Sequence, residues 1–360
     1  MPKTGTSSIQ ETLYYHLEDP GFVYCGFGEI NGSYALAALV GQASYFTALR
    51  AAGAHGHRQR MLKRLRRSIG IARKRVADLI LSAEFAYFWG QDEHRAFAAI
   101  VEEYRLDLRL IIYVRPPLDW LASSLAQNLK YGQFTSHDQL QGYFDKPLRR
   151  QLDLAKRLAL LVDCYGEDRL IIRPFLRHQL AGGCVVRDFC SVVGLSQPPA
   201  TIYRRNEGLS LVASQCLHRR NIAMSQPLRG GGWDLLRRDA LLQRLEQLFG
   251  DQPGLRLQPA LLGDAESFLQ QQLASLQQRH GVALPLSTAS SAEAGLASLD
   301  ALLSLPEAAR RRLVVEAAMG EDASLEQALA RLERVPSAGA VLSTARQLGR
   351  RQLRHALTGC

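Results

Sequence analysis

No window of this 360-residue chain holds the roughly 18 to 20 unbroken apolar residues that a bilayer crossing needs. The longest apolar stretch, Tyr34 to Leu49, is interrupted by Gly41, Gln42, Ser44 and Thr47. No integral membrane segment is expected. The first residues carry no basic segment leading into an apolar core, so no secretory signal is read there and the expected location is cytoplasmic. Six cysteines (Cys25, Cys164, Cys184, Cys190, Cys216 and Cys360) form no CxxC pair and no Cys/His ligand spacing. Reduced, mostly buried thiols are expected, not a zinc site or a disulfide framework. A fixed-period repeat is also absent, which excludes solenoids and propellers.

The composition that remains is ordinary for a globular protein, with 47% hydrophobic and 22% charged residues. Lysine and arginine exceed aspartate and glutamate by 44 − 34 = 10. That surplus is local, because nine basic residues and no acid lie between Arg58 and Arg75. Such a run can attract a polyanionic glycan or a membrane surface. Met61, Leu62, Leu65 and Ile69 give it an apolar stripe, which fits the wetted face of an amphipathic helix. No nucleic-acid partner is expected.

Along the chain, β-like and helical patterns alternate for about two hundred residues and then give way to helical patterns, an α/β signature. Candidate strands are Phe22 to Cys25, Asp78 to Ser82, Leu108 to Val114 and Arg169 to Arg173, each a short apolar run suited to a sheet buried on both faces. Helical spacing recurs at Ile9, Leu13 and Leu17, and at Leu118, Leu121, Leu125 and Leu129. Two more helical segments, Leu152 to Cys164 and Val185 to Val193, run up to Gly166 and Gly194, each glycine a left-handed stop. The expected organisation is an α/β domain over 1–283, a Ser/Thr/Pro linker over 284–291 and a helical accessory segment over 292–360.

The chemistry concentrates at two places. The first is Met1-Pro2-Lys3-Thr4-Gly5-Thr6-Ser7-Ser8, which leads directly into the pattern Ile9, Leu13, Leu17. A glycine turn followed by a helix start lets backbone amides converge where the helix dipole is positive, a cradle for phosphate or sulfate. Lys3 adds a mobile charge, and Thr4, Thr6, Ser7 and Ser8 add hydroxyls. The same composition also suits a plain Ser/Thr-rich helix cap. The lysine precedes the glycine, unlike the nucleotide triphosphatase loop GxxxxGK followed by Ser or Thr.

The second place is Leu110-Ile111-Ile112-Tyr113-Val114-Arg115-Pro116-Pro117, where a strand ends at an arginine, two prolines open a helix, and Ser123 follows eight residues after Arg115. Taken together, PKTGT followed by Ser and this strand-Arg-Pro-Pro-Ser element resemble the 5′-phosphosulfate and 3′-phosphate motifs of sulfotransferases that use 3′-phosphoadenosine 5′-phosphosulfate (PAPS), of the bacterial carbohydrate type. The resemblance covers roughly residues 1 to 280 and fades beyond Asn221.

The resemblance implies a P-loop-type parallel sheet flanked by helices, with the helical C-terminal extension beyond it. It implies that Lys3, Thr4, Gly5, Thr6 and Ser7 hold the 5′-phosphosulfate and that Arg115 and Ser123 hold the 3′-phosphate. Lys3 would neutralise the leaving oxygen, and Glu84, in Ser82-Ala83-Glu84, would act as base toward a saccharide hydroxyl, with His16, His94 and His137 as alternatives. No metal is implied, because a sulfuryl group carries less charge than a phosphoryl group. Arg229 to Trp233 is similar to a loop near the adenine nucleotide in some members, or is a plain loop. In the family a buried strand delivers the lysine, whereas here Lys3 is the third residue. Unpaired backbone and an apolar slot are therefore expected, with translation starting upstream of Met1. A stop codon just before Met1 would remove that expectation. Rival readings are a P-loop kinase or NTPase, separated by a requirement for ATP and Mg²⁺, and a non-catalytic anion- or glycan-binding protein, separated by binding without transfer.

Overall fold

The computed structural model describes residues 1–41, 54–145, 151–203, 208–224, 232–289, 295–320 and 323–333. Arg229 to Gly231 and residues 334–360, Cys360 among them, lie outside the described residues. Among those described, the chain is mostly helical, with 13 α-helices and two small parallel sheets. It divides into two units, one of residues 1–116, 151–207 and 268–288, the other of 117–150, 208–267 and 289–360.

The first unit contains all four strands. β1 (Phe22–Tyr24) pairs in parallel with β2 (Asp78–Ile80), placing Phe22 opposite Asp78 and Tyr24 opposite Ile80. β3 (Leu110–Val114) pairs in parallel with β4 (Leu170–Pro174), from Leu110 opposite Leu170 to Val114 opposite Pro174. Parallel neighbours need crossover connections. Between β1 and β2 these are α2 (Ser33–Leu39) and α3 (Ala54–Arg75). The expected strands are therefore present and parallel, as two separate pairs rather than one continuous sheet.

Local sequence explains the helices around them. α1 (Thr6–His16) follows the glycine turn and buries Ile9 and Leu13. α4 (Gln91–Glu103) begins at Gly90, whose N–H donates to Glu93 Oε2 at 2.9 Å. α7 (Leu154–Tyr165) starts where Asp153 Oδ1 accepts the Lys156 N–H at 3.1 Å and stops at Gly166, φ 94°. α8 (Val185–Val193) ends at Gly194, φ 82°, and the Gly194 and Leu195 amides both donate to Cys190 O. Both stops use positive φ, which glycine enters without steric cost, but only Gly194, ψ 31°, is in the left-handed helical conformation, whereas Gly166 has ψ 149°. α1 and α8 pack with the strands into a core of Ile9, Leu13, Ile80, Tyr113, Val186 and Cys190.

At the end of β4, Arg173 and Tyr113 meet Asp188 of α8, with Arg173 Nη2 donating to Oδ1 at 2.6 Å and the Tyr113 hydroxyl to Oδ2 at 2.7 Å. Burial pushes the Asp188 carboxyl up, but bonds from Arg173, Tyr113 and the Ala181 amide outweigh it and hold the group below its ordinary value. Met61, Leu62, Leu65 and Ile69 of α3 are buried. Its basic residues are used locally, as where Arg66 Nε donates to the Tyr104 hydroxyl at 2.6 Å.

The second unit is helical, formed by α5 (Pro117–Lys130), α6 (His137–Asp145), α9 (Leu211–Met224), α10 (Gly232–Phe249), α12 (Glu307–Glu316) and α13 (Leu325–Leu332), while α11 (Ala265–His280) belongs from Phe268 on to the first unit. The α5 stripe Leu118, Leu121, Leu125 and Leu129 is buried, as its spacing dictates. Arg238 of α10, 2% exposed, donates to Leu129 O at 2.5 Å and Lys130 O at 3.1 Å. It thereby satisfies the last carbonyls of α5, a favourable place for a cation.

His94 on α4 is buried, with Nδ1 3.0 Å from the Tyr165 hydroxyl. Burial, and then the Arg157 guanidinium, push its pKa from 6.5 down to about 4. Between these values the unfolded chain binds a proton that the fold excludes, so stability is present above about pH 6.5 and falls as pH drops toward 4. The unfolding free energy from urea denaturation between pH 7 and 4 should fall with a slope of up to about 1.4 kcal/mol per pH unit from this group. The slope should flatten in His94→Phe, leaving the parts due to His218, which burial pushes down to about 4 in the second unit, and to the Met1 ammonium, which burial pushes down to about 5. An unchanged slope in His94→Phe would contradict the assignment.

Candidate functional site

The opening turn is built around two left-handed residues. Lys3 has φ 64° and Gly5 has φ 77°. For glycine this is ordinary, but for lysine it is uncommon, costing about 1 kcal/mol or more, and such outliers gather at functional sites. Glycine at position 5 is required twice over, since a Cβ there would stand 2.6 Å from Val185 Cγ1 of α8. With no side chain, the turn presses against α8 and Gly5 O accepts from the Ser8 and Ile9 amides to start α1.

Thr4 is 2% exposed and its hydroxyl donates to Met1 O at 2.6 Å, so this hydroxyl holds the turn together. Thr6 and Ser7 are half-buried in the first turn of α1, where a helix presents amides without intrahelical acceptors. Ser8 is buried.

Arg115 follows β3 directly. Its Nη1 donates to Lys3 O at 2.9 Å, and its guanidinium lies 5.5 Å from the centre of the Phe175 ring, just past β4. A guanidinium has five donors in one plane, so the bond to this carbonyl helps to fix its orientation. The Arg115 amide in turn approaches Met1 Sδ at 3.3 Å, and the Met1 nitrogen donates to Tyr113 O at 2.8 Å. The phosphate-loop candidate and the arginine at the strand end are thus neighbours, although 112 residues separate Lys3 from Arg115.

Glu84 comes from the other strand pair. It opens a short 3₁₀ turn (Glu84–Phe88) after β2, and its Oε1 accepts the Lys3 N–H at 3.4 Å. Three contacts place it. Gln10 Nε2 of α1 donates to Ser82 Oγ at 3.1 Å and to Asn31 Oδ1 at 3.3 Å, and the Phe85 amide donates to Ser33 Oγ at 3.3 Å. A close approach of Gly32 to Ser82 O, where a Cβ would lie 2.8 Å away, lets the loop before α2 reach this corner.

The structure thus brings Lys3, Thr4, Gly5, Thr6, Ser7, Arg115 and Glu84 to one end of the first unit. Ser123 lies on α5 in the second unit, half-buried. Of the histidines considered as bases, His94 is buried against Tyr165, His137 lies in the second unit 2.9 Å from Asp300, and His16 at the end of α1 stacks on Tyr203 at 5.4 Å. Gln10, Asn31, Ser33 and Phe175 are supports that sequence patterns do not disclose. A polar residue inside an amphipathic helix, as Gln10 is, was the one available signal.

The backbone of Lys3 thus lies between the Arg115 guanidinium, on its carbonyl, and the Glu84 carboxylate, on its amide, next to the start of α1. No family model matches the chain, and neither a curated protein nor a solved structure matches it.

Gly5→Ala should destabilise the protein by about 1 to 3 kcal/mol, from strain at positive φ and from the collision with Val185. Adding Val185→Ala should recover the steric part and leave the φ part. Chemical denaturation checks this, and a Gly5→Ala protein as stable as the parent would contradict the turn.

Proposed function

We propose that this protein is a PAPS-dependent sulfotransferase of P-loop-type α/β fold, transferring a sulfuryl group to a hydroxyl, with a saccharide as acceptor. The observation that carries the reading is the contact of Arg115 Nη1 with Lys3 O at 2.9 Å, with Glu84 Oε1 3.4 Å from the same residue's amide. Two elements that resemble phosphate motifs are drawn together, and the carboxylate proposed as base adjoins them. The left-handed Lys3 and the glycine that tolerates no side chain support the same reading.

In this mechanism the turn from Lys3 to Ser7 holds the 5′-phosphosulfate and Arg115 the 3′-phosphate. A bond forms between the acceptor oxygen and sulfur while the bond from sulfur to the phosphate oxygen breaks, leaving adenosine 3′,5′-bisphosphate and a sulfate ester. Glu84 takes the proton from the acceptor hydroxyl. Lys3 neutralises the charge that collects on the departing phosphate oxygen, so its contribution grows toward the transition state. Positioning and electrostatics do the work, as in phosphoryl transfer.

Calorimetric titration with adenosine 3′,5′-bisphosphate should show binding. Arg115→Ala should weaken it by about 10- to 100-fold, the worth of a charge-assisted contact. Glu84→Gln should retain the nucleotide and lose about 100-fold or more of transfer from radiolabelled PAPS to a saccharide panel. Binding of ATP with Mg²⁺ but not of the bisphosphate would point to a kinase or NTPase, and binding without transfer to any acceptor would point to a non-catalytic protein.

A further inference from the structure

The exposed apolar surface of the first unit is concentrated on one residue type. Among its described residues the exposed large apolar side chains are Tyr14 (39%), Tyr15 (55%), Tyr34 (45%) and Val76. Val76 precedes β2 and Glu84 follows it, so these two stand at opposite ends of that strand. The three tyrosines instead border the loop 26–32, which is held along its length. A Cβ on Gly26 would lie 2.9 Å from the Tyr14 ring, the Tyr24 hydroxyl donates to Ile30 O at 2.8 Å, and Asn31 and Gly32 meet Gln10 and Ser82 as described above. Within it Phe27, 4% exposed, takes φ 51° while the Arg64 guanidinium donates to its carbonyl. A left-handed phenylalanine persists only where its surroundings over-determine the backbone, and such residues gather at ligand sites.

Each exposed ring is backed by another ring. Tyr34, in the first turn of α2, lies 5.8 Å from Phe85 at 79°, and Phe85 is the residue after Glu84. In an edge-to-face pair one ring's edge meets the other's face, so Phe85 covers at most one face of Tyr34. Tyr14 lies one turn beyond Gln10 on the same face of α1, the face that holds Ser82 and Asn31. It packs on Tyr24 at 6.4 Å, and Tyr15 packs on Tyr14 at 5.0 Å and on Tyr203 at 6.0 Å. Tyrosine rings held in this way offer area at little cost in conformational entropy. Their π faces are electron-rich and attract the weakly positive C–H bonds on the flat side of a pyranose, while the sugar hydroxyls stay in water. An aliphatic partner would call for exposed Leu, Ile or Met, and none is exposed among the described residues of this unit. The carboxylates of α1 and of the loop are Glu11 and Glu29, with no lysine or arginine in either segment, which disfavours an anionic chain.

We infer that Tyr34, Tyr14 and Tyr15 are a stacking platform for a neutral oligosaccharide, with the reacting unit on Tyr34 beside Glu84 and further units on Tyr14 and Tyr15. The role of Glu84 in this inference rests on the transferase reading. The binding itself rests on the exposure of the three rings, their aromatic backing and the pinned loop between them.

The test titrates the protein with neutral hexasaccharides of glucose, mannose, galactose and N-acetylglucosamine and with the four monosaccharides, and separately with adenosine 3′,5′-bisphosphate. At least one hexasaccharide should bind about tenfold or more tighter than its monosaccharide. Tyr34→Leu, Tyr14→Leu and Tyr15→Leu, which keep apolar bulk and remove the π face, should each weaken it by about 3- to 10-fold. Tyr34→Phe should bind as the parent does, and all four variants should bind the bisphosphate as the parent does. Failure of every hexasaccharide to bind, or Leu variants that bind as tightly as the parent, would overturn the platform whatever the nucleotide does. Tyrosine-dependent binding of a hexasaccharide by a protein that ignores the bisphosphate would keep the platform and remove the transferase reading instead.

Discussion

The hydrogen bond from the Arg115 guanidinium to Lys3 O is the constraint on which the site depends. Without it, a glycine turn at the head of a helix is a common local motif, and an arginine at a strand end is a common surface residue. With it, a cation from the end of β3 is held against the turn that starts α1. Phe175 beneath the guanidinium and Val185 against Gly5 make that placement a matter of packing as well as charge. The strain at Lys3 is maintained because its neighbours on both sides are fixed.

Much of the framework was legible from the sequence. Short apolar runs mark the strands, and β1 to β4 fall within two residues of the runs expected from 22, 78, 108 and 169, although most of their residues are half-buried rather than covered on both faces. Gly194 stops α8 as a left-handed cap, whereas Gly166 stops α7 at positive φ but with an extended ψ of 149°. The basic run at 58–75 lies on a helix whose Met/Leu/Ile stripe is buried. These features are local, and local rules decide them.

What was not legible is long-range. That Lys3 and Arg115 would touch depended on a turn motif resembling a known one, and the bond itself is visible only once β3 and α1 are placed. Gln10, Asn31 and Ser33, which locate the Glu84 turn, are ordinary polar residues in sequence and acquire meaning from partners 21 to 72 positions away. Likewise, nothing in the pattern of Arg238 marks it as a buried cap on the α5 carbonyls. The division of the strands into two pairs follows from which backbone edges find partners, a property of tertiary placement that no single run of residues encodes.

The most direct test of the central claim is a crystal structure with adenosine 3′,5′-bisphosphate bound. The account predicts the 5′-phosphate against the amides of the turn from Lys3 to Ser7 and the 3′-phosphate within about 3 Å of the Arg115 guanidinium. A nucleotide bound elsewhere, or a phosphate in the turn with Arg115 out of reach of any ligand atom, would contradict it.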